Sequence, residues 1–256
     1  MRTDTKGISL IGILVSLACV VVLMSIYMSS VQKAVTGGNG VSAPKSVWGM
    51  QDQIQLQLLG QALTIDAMSN NNQFLTPSKV SRSNDVYDNT SANFWSALLI
   101  QNLAKPEQLV SPNDQSWVEP AQVDYRARHF DSNFSVDLDG VYNVSYAHMP
   151  LFEDRLDKRW NTQAGRFPIL GNRGPQDGIE GTASRTLDAD GTWRGWVLHS
   201  DNSIKWVEST TVTPNWRRYD SVTMDNIFLE EDDSSDDAIL GYTLEMDDYG
   251  PTFIWD

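Results

Sequence analysis

The feature that most constrains this chain is a run of 26 consecutive residues without a charged side chain, from Gly7 to Gln32. As an α-helix this run measures about 39 Å, which exceeds the roughly 30 Å thickness of bilayer hydrocarbon. Two basic residues, Arg2 and Lys6, precede it. Because basic residues favour the cytoplasmic side, we expect a single-pass membrane protein, which in a bacterium lies in the inner membrane. Its N-terminus would be cytoplasmic, and the chain after Lys33 would face the periplasm or the cell surface.

Two other interpretations of this apolar run stay open. A cleavable signal peptide has an apolar stretch of about 7–15 residues followed by a small-residue cleavage site, and this run continues well beyond that length. A lipoprotein would use Cys19, but Ser16, Leu17 and Ala18 lack the usual apolar and small residues three and two positions before the cysteine. A continuous membrane helix fits the run better than either alternative.

Composition restricts the partners of the rest of the chain. The net charge is −14, from 33 acidic and 19 basic residues. Binding to a phosphate backbone or to an anionic lipid surface requires stripes of Lys and Arg, which this chain does not supply, so we expect no nucleic-acid partner. The only cysteine, Cys19, lies inside the apolar run. The exported part must therefore be stable through packing without a disulfide, helped at most by a metal.

Two helices are predicted after the apolar run. Gly and Asn at residues 37–40, together with Pro44, end the first segment. Apolar residues at spacings of three and four indicate an amphipathic helix over residues 48–68, and a shorter helix is indicated over residues 93–104. The predicted core-facing side of the first of these helices carries Ile54, Leu58, Ala62 and Ile65, flanked by Leu59 and Leu63.

Short alternating or aromatic runs, separated by turn residues, predict antiparallel strands after the helices. These runs cover residues 134–138, 142–146, 193–198 and 203–207. A last strand is expected where apolar residues return after residue 238. Helices followed by a small meander define an α+β fold.

The sequence carries no recognisable catalytic motif, and we predict that the protein is not an enzyme. Its three histidines, His129, His148 and His199, share no zinc-ligand spacing, and neither a nucleophile elbow nor a phosphate-binding loop is present. An enzyme would have to use Asp and Glu side chains that belong to no recognised catalytic motif. Tryptophans at 193, 196, 206 and 216 suit either core packing or, as an alternative, a sugar-stacking face.

Two Asp-x-Asp-Gly stretches are the only candidates for a metal site with a recognisable spacing. Asp137 with Asp139, and Asp188 with Asp190, each place two carboxylates on one side of a turn, as calcium requires. Neither stretch continues into a complete EF-hand loop. A plain Asp-Gly turn is the alternative at both places.

An acidic segment, residues 225–248, stands out near the end of the chain. From Asp220 onward there is no basic residue, and the densest part covers residues 230–237. Such a block repels itself and is typical of a solvated loop or tail, although it also suits divalent cations or a basic partner. The apolar residues that follow indicate a loop between ordered pieces.

The N-terminal junction resembles that of a known family. Lys6-Gly7-Ile8-Ser9-Leu10-Ile11 is similar to the leader junction of type IV prepilins and type II secretion pseudopilins. The resemblance implies that prepilin peptidase cuts after Gly7 and that Ile8 becomes the methylated first residue. It also implies that the helix packs against other pilin-like subunits in a filament through Leu10, Ile11, Gly12, Leu14, Leu17, Val21 and Met24. The family usually has Glu where this chain has Gly12.

Further patches resemble planctomycete and verrucomicrobial prepilin-type proteins related to the major pseudopilin. They are LQLLGQAL (56–63) with NNNQF (70–74), FWSALL (94–99) with PEQLVSPND (106–114), VSY (144–146) and HSDNSIKWV (199–207), in the family's order. In the last patch Asn202 replaces a glycine, and Asn tolerates the positive φ that a tight hairpin requires. Related pseudopilins hold calcium in a loop near this hairpin, so the resemblance favours Asp188 and Asp190 as calcium ligands.

The residues and the resemblance together predict a pilin-like α+β protein. We expect a leader (1–7), an apolar helix (8–36), a linker (37–47) and a periplasmic or extracellular globular domain (48–256). The predicted function is that of a structural subunit of a type IV pilus-like or type II secretion pseudopilus filament. Because Gly12 replaces the usual Glu, a minor, initiating or tip role fits better than a major subunit. The alternative is an unprocessed, membrane-tethered periplasmic module that binds glycan or a cation.

Overall fold

The computed structural model describes residues 49–112, 114, 120, 143–181, 184–216, 224–231 and 235–255. The chain divides into two units between Lys45 and Ser46, and every described residue belongs to the second unit. Within the described part, no helix combines the length and the apolar character needed to cross a membrane. The predicted leader, apolar helix and linker all lie outside the described residues.

Four α-helices occur among the described residues. They are α1 (Met50–Ser69), α2 (Pro77–Ser81), α3 (Ser91–Ile100) and α4 (Glu153–Arg159). Local chemistry explains where several of them begin. Pro77 opens α2, where its missing N–H costs nothing, and the Thr90 side chain accepts a hydrogen bond from the Asn93 N–H to cap α3. Acidic residues in the first turn of α4 and basic residues in its last turn match the helix dipole.

The main sheet has four antiparallel strands in the order β1-β2-β3-β4, which is a simple meander. The strands are β1 (Tyr146–His148), β2 (Pro168–Asn172), β3 (Gly195–His199) and β4 (Ile204–Val207). In the hairpin of β3 and β4, Trp196 lies opposite Trp206, and Val197 lies opposite Lys205. The β2–β3 register shifts between Pro168 and Leu170.

The described part also contains two separate two-stranded antiparallel sheets. β5 (Thr211–Val212) pairs with β6 (Asp225–Asn226), and β7 (Tyr242–Asp247) pairs with β8 (Gly250–Ile254). Two backbone hydrogen bonds between His148 and Gly241 join the β7–β8 end of the chain to β1 at the edge of the main sheet. The chain end therefore packs back on the body, as the sequence predicted.

Helix α1 packs on one face of the main sheet. Gly60 lies against the side chain of Leu198 on β3, and the indole N–H of Trp196 donates a hydrogen bond to the Gly49 carbonyl. The core beneath this contact contains large side chains that are fully buried. These are Trp95, Trp160, Trp193, Tyr146, Tyr242, Phe74, Phe94, Phe167 and Phe228.

The predicted α+β class is confirmed, because the described residues contain helices and a small antiparallel sheet. The 48–68 helix is found as α1, and the 93–104 helix is found shorter, as α3. The hairpin is found as β3 and β4, with Asn202 at φ 62° in its turn. Strand β2 and helix α4 were not predicted, since neither has an alternating or helical apolar pattern long enough to be recognised.

Candidate functional site

The residues predicted for processing and filament packing lie outside the described part of the chain. They are Gly7, Ile8, Leu10, Ile11, Gly12, Leu14, Leu17, Val21 and Met24. Their roles therefore stay predictions. The same holds for the calcium candidate at Asp137 and Asp139.

One face of α1 is buried in the core. It carries Leu56, Leu59 and Leu63, together with Gly60 and Ala67. A Cβ at position 60 would lie 2.8 and 2.9 Å from the two methyl groups of Leu198, so only glycine allows the helix to approach β3 this closely. The close approach fixes which side of α1 faces the sheet.

The opposite face of α1 exposes a row of large apolar side chains, which we call the α1 ridge. Its members are Met50, Ile54, Leu58, Ile65 and Met68. Three of them are more than half exposed: Ile54 at 57%, Ile65 at 65% and Met68 at 74%. Residues separated by three, four or seven positions lie on one side of a helix, so the five share one side of α1, with the exposed Gln61 between Leu58 and Ile65.

The ridge corrects the sequence prediction for this helix. Ile54, Leu58 and Ile65 were predicted to face the core and instead face outward, and only the flanking Leu59 and Leu63 are buried. The helix is apolar on two opposite sides, so its periodicity does not determine which side is buried. Gly60 was the one available signal, because a glycine within a helix often marks a close contact.

The calcium candidate at Asp188 and Asp190 forms the predicted turn, in which the Gly191 N–H binds the Asp188 carbonyl. Both carboxylates bind Arg194. Its Nη1 lies 2.5 Å from an Asp188 oxygen, and its Nη2 lies 2.6 Å from an Asp190 oxygen. The guanidinium and the Thr192 hydroxyl and N–H together hold the pKa of Asp190 well below its usual range. A calcium ion at this turn would have to displace Arg194, and calcium binding here stays a prediction.

A second group of carboxylates comes together in the acidic segment. Ligand atoms of Asp225, Glu231 and Asp237 all lie within 4.8 Å of one another. The two aspartates are buried and the glutamate is exposed. The group offers the oxygen ligands that hard cations bind, but Asp237 already accepts hydrogen bonds from Arg155 and from the Glu231 N–H. The sequence showed that this segment is acidic. It did not predict which three carboxylates would lie close together.

Helix α4 holds the described part of the acidic run in place. Arg155 pairs with Glu230 at 3.1 Å and with the buried Asp237 at 3.2 Å, while Arg159 pairs with Asp236. The described residues of this run lie between β6 and β7. The basic residues that pair with them here belong to the same chain.

A serine and a histidine form a buried pair that no sequence signal revealed. Ser91 Oγ lies 2.6 Å from His148 Nε2 and accepts a hydrogen bond from the Thr243 N–H. His148 Nδ1 donates to the Met149 carbonyl, which leaves Nε2 as the acceptor for the Ser91 hydroxyl. Burial lowers the pKa of His148 to about 4. Ser91 and His148 are both buried, at 0% and 1% exposure.

The tryptophans that could have formed a sugar-stacking face are mostly interior. Trp193 is fully buried and donates to the Arg173 carbonyl, and Trp216 is buried and donates to the Asp236 carbonyl. Trp196 and Trp206 are half-buried and contact each other edge to face, with ring centroids 5.1 Å apart. Core packing therefore accounts for Trp193.

Comparisons with protein-family models, with curated proteins and with solved structures find no match to this chain. The class that the structure defines is therefore a coarse one. It is an α+β domain with a four-stranded antiparallel meander, covered on one face by a helix whose outer side is apolar.

Proposed function

We propose that this chain is a structural subunit of a type IV pilus-like or type II secretion pseudopilus filament, with the pilin-like architecture that this implies. The observation that carries the proposal is the α1 ridge, in which five large apolar side chains line the outer side of one helix. Monomeric soluble proteins rarely expose large apolar patches, and several large apolar side chains on one helix face are typical of a protein-protein contact.

The ridge suits a contact between like helices. Ile54, Leu58 and Ile65 are branched side chains at helical spacing, which can interdigitate with the same row on a neighbouring helix. Full burial of one such side chain contributes about 1.5–3 kcal/mol to the free energy of association. A few such contacts therefore offset much of the translational and rotational freedom that a subunit loses when it associates. A membrane anchor reduces that loss further, because it confines neighbouring subunits to one plane.

The N-terminal sequence supplies the anchor and the processing site in this proposal. Prepilin peptidase cleaves between Gly7 and Ile8, and Ile8 is then methylated. Residues 8–36 hold the subunit in the inner membrane and pack against other pilin-like subunits, while the described domain faces the periplasm or the cell surface. The lack of a carboxylate at Gly12 favours a minor, initiating or tip position, since no glutamate is present to neutralise a neighbouring N-terminal amine.

Intact mass and N-terminal sequencing of the protein extracted from membranes test the processing step. We expect a mature chain that begins at methylated Ile8. The matched control is a Gly7→Asp variant, which should retain residues 1–7 because a peptidase that requires glycine at the membrane face no longer reaches the backbone. A wild-type chain that keeps residues 1–7 contradicts the proposal and favours the tethered binding module.

A further inference from the structure

A groove lies on the face of the main sheet opposite α1. Directly paired residues of antiparallel strands share a face, so Val197 of β3 and Lys205 of β4 project to the same side. Trp196 and Leu198 alternate with them and contact α1 instead. The groove is therefore on a different side of the molecule from the α1 ridge.

The chain after β4 returns over this face and forms the second wall of the groove. Val212 and Trp216 line that wall. The Trp216 ring is fixed by its N–H bond to the Asp236 carbonyl, 3.0 Å long, and by an edge-to-face contact with Phe167. The groove is open to solvent on one side and has a volume of about 260 Å³. That is slightly below the usual range for ligand pockets, about 300–1,000 Å³, so the occupant must be small.

The lining combines apolar walls with positive charge. Three valines, a proline, two isoleucines and the Trp216 indole supply the apolar surface, and the charged residues of the lining are Arg166 and Lys205. In a chain with 33 acidic and 19 basic residues, a lining whose charges are both positive is unusual. Asp201 lies 3.8 Å from Arg166, so two positive charges and one negative charge leave one net positive charge at the rim.

We propose that this groove binds a small amphipathic carboxylate, with its apolar body between β3–β4 and Trp216 and its carboxylate at Arg166 and Lys205. A single negative charge matches the single net positive charge of the rim. A planar carboxylate also suits the two parallel N–H groups of a guanidinium. The apolar walls supply binding through removal of the ligand body from water. This inference is independent of the filament proposal, because it uses a different face and different residues.

Calorimetric titration of the full chain in phosphatidylcholine nanodiscs at low salt tests the groove. The probe is 3-phenylpropanoate, and the matched neutral probe is 3-phenylpropanamide, each also titrated into empty nanodiscs. We expect saturable binding of the carboxylate that is about fivefold or more tighter than that of the amide, because only the carboxylate forms charge-assisted hydrogen bonds.

Three groove variants and one control variant locate the site. Arg166→Gln and Lys205→Gln should each weaken carboxylate binding about fivefold, whereas Lys105→Gln, an exposed cation outside the groove, should leave it unchanged. Thr213→Trp keeps both rim charges and fills the groove, so it should abolish binding. Thermal melting checks that every variant is folded. Equal binding of the carboxylate and the amide, no saturable heat, or an equal loss in Lys105→Gln would overturn the proposal.

Discussion

At the scale of single residues, Gly60 determines how closely α1 lies on the main sheet. The space for a Cβ at this position is filled by the side chains of Leu198 and Asn202. Asn202 stands in the β3–β4 turn with positive φ, a role that the sequence predicted correctly from the hairpin pattern. The contact between the two was not predictable, because Gly60 and Asn202 are far apart in the chain.

Replacing Gly60 with alanine should destabilise the protein. Alanine favours helix by about 1 kcal/mol relative to glycine, whereas overpacking costs about 1–3 kcal/mol, and we expect a net loss of about 1 kcal/mol. The melting temperature of the full chain in detergent should fall by about 2–4 °C. The control is Gln61→Ala on the exposed side of the helix, which should not lower it. A Gly60→Ala protein as stable as the wild type contradicts the close packing.

The buried histidine predicts a specific pH dependence. Burial lowers the pKa of His148 from 6.5 to about 4, so the folded state binds a proton more weakly than the unfolded state does. The stabilising contribution is complete above pH 6.5 and is lost as the pH falls towards 4, by up to about 3 kcal/mol. Unfolding free energies at pH 7.5 and pH 4.5 should therefore differ more for the wild type than for His148→Gln. Parallel pH profiles for the two proteins would show that His148 is not buried as a neutral group.

At the scale of secondary-structure elements, α1 shows where a sequence pattern fails. Its length and its end at residues 69–70 followed from apolar spacing and from the run of Asn residues after it. Its orientation did not, because Leu56, Leu59 and Leu63 on one side are as apolar as the ridge on the other. Packing geometry at Gly60 selects one side, and this information lies in the tertiary structure.

The ridge predicts which substitutions disrupt assembly without disrupting folding. Ile54→Lys and Ile65→Lys each place a charge on an exposed side chain, so the melting temperature should change little. Recovery of the subunit in sheared or detergent-resistant assemblies should fall at least about fivefold, since a buried unpaired charge opposes association. The matched control is Ile179→Lys, because Ile179 is 50% exposed and lies outside α1. Equal recovery of all three variants would show that the ridge takes no part in assembly.

The turn of Asp188 and Asp190 gives a direct test of the calcium prediction. Arg194 binds both carboxylates, so we expect a chelator to leave the wild-type melting temperature unchanged. Arg194→Gln frees the two aspartates, and calcium should then raise the melting temperature of that variant. A wild type whose chelator sensitivity is abolished by Asp190→Asn would show that calcium displaces Arg194 and that the sequence prediction is correct.

At the scale of the whole molecule, the sequence predicted the fold class and the order of its main parts, but not how the parts meet. The α+β class followed from helical spacing early in the chain and alternating runs later. The sequence did not predict the long-range ion pairs. The buried Arg173 pairs with Asp114 at 2.6 Å, and Arg155 pairs with Asp237. Each pair joins residues more than 50 positions apart, and no local pattern records such a contact.

We expect the α1 ridge to contact the same ridge on a neighbouring subunit, outside the membrane. Disulfide cross-linking tests it most directly, because Cys19 is the only native cysteine and Cys19→Ser provides a clean background. Single cysteines at positions 54, 58 and 65 are compared with one at position 179, after mild oxidation of intact membranes. We expect covalent dimers from one or more ridge positions and few from position 179. Dimer yields at all three ridge positions no higher than at position 179 would contradict this expectation.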